Sequence, residues 1–164
     1  MSYNEFMLNI CIVMPRFFPV PAVKGGAVEQ LATFLADENE KFHKMNITFV
    51  SVYDELAEEA SKVYKHSKFI YIPMELEKEK YEYASVDNAL IEYTNKVENA
   101  IKDKSFDYVI IQGGRKEHLI PSVPFEKSIT YLHGPKIEHG LHEYYKAILV
   151  VSHFIAGCYY EQTD

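Results

Sequence analysis

The sequence predicts an α/β fold built on an open, doubly wound parallel sheet, a three-layer sandwich with helices on both faces. Three observations predict it. Strand-like and helix-like segments alternate along the chain, and several strand segments are nearly continuous apolar runs, such as "NICIVM" and "YVIIQ", which suit strands buried on both faces. The runs end in proline or glycine, which stop a strand and open a loop. Right-handed crossovers then make a Rossmann-like strand order, 3-2-1-4-5-6, the natural arrangement.

The first strand is "NICIVMP", residues 9–15. After the loop "PRFFPVPAVKGG", Ala27, Val28, Leu31, Ala32, Phe34 and Leu35 recur on one broad helical face, while Glu29, Gln30, Asp37 and Glu38 point elsewhere. This predicts a helix over 27–41, with those apolar residues toward the core. "NITFVSVY" is β-branched and aromatic and reads as the second strand. "DELAEEASKVYKH" suits a short helix, and "KFIYIPM" a third strand ended by proline.

In "SVDNALIEYTNKVENAIKDK", Val86, Leu90, Tyr93, Val97 and Ile101 recur every three or four residues, and Ser85 stands where a cap for the first turn would. This long helix leads into a fourth strand, "FDYVIIQGG". "SITYLHGP" and "KAILVVSHF" supply the fifth and sixth, and a helix begins at "HFIAGCYY". No internal repeat or domain boundary interrupts the pattern, so residues 1–164 read as one Rossmann-like domain. At 164 residues such a domain buries roughly two thirds of its unfolded surface.

The formal net charge is -7, and the only arginines are Arg16 and Arg115. No basic stretch is dense enough to follow a phosphate backbone, so no nucleic-acid partner is expected. Cys11 and Cys158 lie in apolar stretches far apart in sequence, as reduced core cysteines of a cytoplasmic protein would. The N-terminus lacks a basic region followed by a sustained apolar one, unlike a signal peptide. No segment approaches the ~20 apolar residues of a membrane span, while peripheral membrane contact stays open.

In such a sheet, ligands gather at the carboxyl ends of the strands, near the point where strand order reverses. Four loops reach that rim: 15–26, 112–115, 132–136 and 152–153. Gly25 and Gly26 suit either an αL turn before a helix cap, or close approach of an anion or sugar hydroxyl to first-turn amides. The spacing is not that of G-x-G-x-x-G, and there is no GxxxxGK[ST]. Glu29 lies one turn into the helix, where a carboxylate is favourable in any case. Lys24 and Arg16 could balance a phosphate, with solvated flanks the plainer reading of both.

His133 ends a strand and precedes Gly-Pro, which fixes an imidazole at the rim with a pKa near neutrality, suited either to donate to a ligand hydroxyl or carbonyl or to serve as a satisfied structural histidine. His139 and His142 in "HGLHE" do not form the H-E-x-x-H zinc pattern, and no metal ligand set is expected.

"MPRFFPVPAVKGGAVEQLATFLADE", "ITYLHGP" and "AILVVSHFIAGCYY", in this order and spacing, resemble the N-terminal domain of family 4 glycosyltransferases with the two-Rossmann (GT-B) fold. The likeness spans almost the whole chain. Gly25, Gly26 and Glu29 match the family's glycine loop and helix glutamate. His133 matches its N-domain histidine, and Ser152 its "vvS" segment. Two stretches depart from the family. "EKFHKMNITF" turns from helix to strand without the family's Gly-His, and "PRFFPVPAVKGG" is bulky.

The resemblance implies the acceptor-side half of a retaining glycosyltransferase that moves a sugar from a nucleotide diphosphate sugar to the hydroxyl of a carbohydrate or small-molecule acceptor. It implies a catalytic role for His133. Substrate contacts would come from Gly25, Gly26, Glu29, Gln112, Gly113 and Ser152, with no cofactor or catalytic metal. A second Rossmann domain, or a separate donor-binding subunit, would complete the cleft, and this chain alone would be inactive. The alternatives are half of a GT-B sugar-nucleotide epimerase and a non-catalytic carbohydrate- or nucleotide-binding module.

Overall fold

The computed structural model describes residues 7–74, 83–134, 138, 140–153 and 155–156. Six strands, β1 (Leu8–Val13), β2 (Met45–Val52), β3 (Ser67–Ile72), β4 (Tyr108–Gln112), β5 (Ser128–Leu132) and β6 (Ala147–Val150), form one parallel sheet. Its order is β3-β2-β1-β4-β5-β6, the expected Rossmann-like arrangement. The α-helices are α1 (Ala27–Phe42), α2 (Glu55–Ser61) and α3 (Tyr83–Ile101).

Alternation along the central strands divides the core into two layers. Ile12, Met14, Ile47 and Phe49 pack with Val20, Ala32 and Ala36 on the α1 side. Cys11, Val13, Val50, Val52 and Ile72 pack with Tyr93, Val97 and Ile101 of α3 on the other. Both faces of β1 and β2 are therefore covered, which explains the apolar run 10–13 of β1 and the burial of β2 on both sides, Thr48 and Ser51 included. Cys11 is fully buried, and burial pushes its thiol up to about 12. Cys158 lies outside the described residues. Among the described residues no helix is long and apolar enough to cross a membrane.

Helix α1 forms where expected but is rotated from the expected face. Its buried side carries Glu29, Ala32, Ala36 and Asn39, while Leu31 and Phe34 are 47% and 63% exposed. The small alanines let the helix sit close on the sheet, a geometry that larger side chains would block. Asn39 is buried for a different reason. Its carboxamide donates to Met45 O (3.0 Å) and His66 O (3.2 Å) and accepts from Met45 N (3.2 Å), tying the helix end to β2 and β3. His43 takes the αL cap with φ 44° and donates its amide to Asn39 O, so this helix ends without glycine.

Helix α3 starts at Tyr83, which places Ser85 inside the first turn rather than at the cap. Among the described residues the two remaining crossovers hold no α-helix. Single 3₁₀ turns at Lys116–His118, Phe125–Lys127 and Leu141–Glu143 take their place. Ile120, Leu141 and Tyr145 from these connections complete the α3-side layer. On the opposite face Gln112, Tyr131 and Leu149 are in register across β4, β5 and β6, and Leu149 is exposed.

Candidate functional site

Strands β1 and β4 are neighbours from which the chain winds in opposite directions, so the crevice at their carboxyl ends is the topological switch point. The loop after β1 is anchored to the sheet beneath it. Val20 N donates to Ser51 Oγ (3.1 Å), and Ala22 N to Thr33 Oγ1 (2.9 Å), which donates to Glu29 O (2.8 Å). Lys24 pairs with Asp54, holding that carboxyl below its ordinary range, and Asp54 caps α2 through Leu56 N and Ala57 N. Lys24 is thereby engaged within the protein.

Both glycines of the loop have positive φ, +82° at Gly25 and +92° at Gly26. Their surroundings differ. A Cβ on Gly25 would meet nothing, whereas one on Gly26 would overlap Glu29 Oε2 and lie 3.2 Å from Phe18 Cδ2. Gly26 occupies the cap of α1 without a side chain, and the Glu29 carboxylate folds back into the vacated space. Glu29 is only 3% exposed, and burial raises its pKa against the opposing hydrogen bond from its own amide. Gly25 leaves the entrance to the first turn open.

At the neighbouring strand ends, Gln112 closes β4 and His133 directly follows β5. His133 Nε2 is bonded to Gln112 Oε1. An amide oxygen only accepts, so Nε2 carries the proton and Nδ1 is the accepting nitrogen. Burial lowers the pKa of His133, and Tyr131 packs against its ring at 4.4 Å between centroids. The rim thus holds a neutral, oriented imidazole. Buried Thr130 Oγ1 donates to Gly113 O and secures the turn that follows β4.

Gly113 lies under the imidazole of His118, whose ring atoms would stand 2.7 to 2.8 Å from a Cβ there. Close packing therefore accounts for this glycine. Ser152 is exposed and accepts from Ile155 N (3.3 Å), capping the helical turn that begins at 153. His139 lies outside the described residues. Among the described residues no three His, Cys, Asp or Glu side chains gather as a metal site.

Sequence reasoning missed His118. It is tucked into the switch-point crevice, its pKa lowered by burial, with Nδ1 3.2 Å from Arg115 O. Its position five residues beyond Gly113 in the loop after β4 was the available signal. With Arg16, Gln112, Tyr93 and Thr94 it lines a cavity of about 10 Å³, the size of one water. Tyr93 donates its hydroxyl to Met14 O (3.1 Å), closing the crevice from α3. Comparisons with family models, with curated proteins and with solved structures found no match to this chain.

Proposed function

We propose that this chain is the acceptor-side domain of a retaining glycosyltransferase that moves a sugar from a nucleotide diphosphate sugar to an acceptor hydroxyl. The observation that carries the reading is the Gln112–His133 pair at the same carboxyl rim as Gly25, which is open, and Gly26, whose cap space the Glu29 carboxylate fills. Amides at a helix start suit the donor's phosphates. A neutral imidazole held by Gln112 can orient a sugar hydroxyl without placing a fixed charge beside the reacting carbon.

In this reading His133 aligns and stabilises the transferring sugar. Glu29 shapes the glycine entrance, Gln112 sets the tautomer, and Gly113 and Ser152 border the substrate. The rate gain comes from alignment and preorganised dipoles, completed when a second Rossmann domain or donor-binding subunit closes over the rim and excludes water. The protein works in the cytoplasm and needs no metal for the step.

The test is calorimetric titration with a panel of nucleotide diphosphate sugars, using this chain and any longer product of its reading frame. Binding and sugar transfer by the longer product, lost in His133→Ala, support the reading. Recognition of no nucleotide sugar by either protein overturns it and leaves an interaction module as the better account.

A further inference from the structure

Among the described residues, Lys24, Arg115 and Lys116 at the rim of this acidic protein are each matched by a carboxylate, and Arg16 is not. Lys24 pairs with Asp54, Arg115 Nε stands 3.2 Å from Glu117 Oε2, and Lys116 Nζ stands 3.5 Å from Glu138 Oε1. Arg16, three residues past β1, has no such match. Its guanidinium lies 4.6 Å over the Phe17 ring, and among the described residues no carboxylate or other acceptor meets its N–H groups. It is partly buried beside the crevice that Gln112 and His118 line, and burial lowers its pKa.

A guanidinium that is partly desolvated, with no carboxylate beside it among the described residues, carries an electrostatic cost that a bound anion offsets. Its planar fork bonds two oxygens at once. A phosphate monoester brings nearly two charges where a carboxylate brings one, so it gains more from this site. We propose that Arg16 receives the phosphate monoester of a ligand at the outer rim of the switch-point crevice, whose interior holds no more than one water. On the transferase reading, on which this assignment of role rests, that ligand is the acceptor, because the donor's phosphates face Gly25 and Gly26.

The chain has two arginines, so its arginine Nε spectrum contains two side-chain signals, and Arg16→Lys assigns them by loss of one. Glycerol phosphate, inorganic phosphate and acetate are titrated at constant ionic strength. Saturable movement of the Arg16 signal by glycerol phosphate is expected, at least tenfold weaker with acetate. Calorimetric titration follows the same ligands in the variants: binding falls at least tenfold in Arg16→Gln and partly recovers in Arg16→Lys, with unchanged melting temperatures showing that both variants fold.

Retention on phosphatidic acid vesicles, competed by glycerol phosphate, assigns the ester to a lipid headgroup. Its absence assigns a soluble ester. An Arg16 signal that no phosphate moves, in solution or on vesicles, overturns the inference, as does acetate binding equal to phosphate. Phosphate binding at Arg16 without recognition of any nucleotide sugar keeps this site and removes the transferase. Nucleotide-sugar transfer with a silent Arg16 does the reverse.

Discussion

His133 and Gln112 meet across two neighbouring strand ends, Nε2 to Oε1, in the crevice where the sheet reverses its winding. The contact orients the ring, and burial lowers its pKa. Removal of the contact therefore has a spectroscopic consequence: Gln112→Ala frees the tautomer, and the His133 ring signals change from a single Nε2–H form to a mixture in nitrogen-detected NMR.

Acid should weaken this protein before its carboxylates titrate. His133 and His118 both have pKa values lowered from 6.5 by burial. The unfolded chain consequently takes up protons first as pH falls below 6.5, and stability declines through the window down to the folded pKa values. Urea midpoints measured from pH 7.5 to pH 5 should fall. Replacing both histidines by Gln should flatten that fall.

Glu29 works in the opposite sense. Its raised pKa means that the folded state holds a carboxyl proton more tightly than the unfolded one, so its ionisation opposes folding at neutral pH and this penalty disappears as pH falls through the folded value. Glu29→Gln should raise the melting temperature at pH 7, with the gain vanishing in acid. A lower melting temperature at pH 7 contradicts the assignment.

Gly26→Ala combines a positive φ with overlap onto Glu29, so a loss of about 1–3 kcal/mol is expected. Gly25→Ala meets open space and loses only the backbone part, about 1–2 kcal/mol. The double variant Gly26→Ala, Glu29→Ala should recover the steric part in a double-mutant cycle read by urea unfolding.

The rotated seating of α1 is tested by size. Ala36→Leu should cost about 1–3 kcal/mol through overpacking against the sheet. Phe34→Ser, on the exposed face, should change stability by less than about 0.5 kcal/mol. The reverse ranking in denaturant unfolding contradicts this packing.

All six strands and their order were legible: β1, β3, β4 and β5 are apolar runs closed by Pro15, Pro73, Gly113 and Gly134, and β2 and β6 show by their β-branched and apolar content alone. The seating of α1 was not. Hydrophobicity favours Leu31, Phe34 and Leu35 as core, whereas close approach to Phe49 selects Ala32 and Ala36, and a buried Asn39 is explained only by the carbonyls it meets. The 3₁₀ turns are too short to show a period. At the rim, Gly26, Glu29 and His133 stood out by type and position. The pairing of His133 with Gln112 and the burial of His118 depend on neighbouring strand ends that only the fold brings together.

The central claim is that the rim around His133 transfers sugar. Its most direct measurement is turnover of a radiolabelled nucleotide sugar by the longest product of this reading frame, wild type against His133→Ala, with folding checked by melting. The account predicts loss of about 10²-fold or more in kcat. Equal rates in the two proteins, or a wild type that consumes no nucleotide sugar, would contradict it.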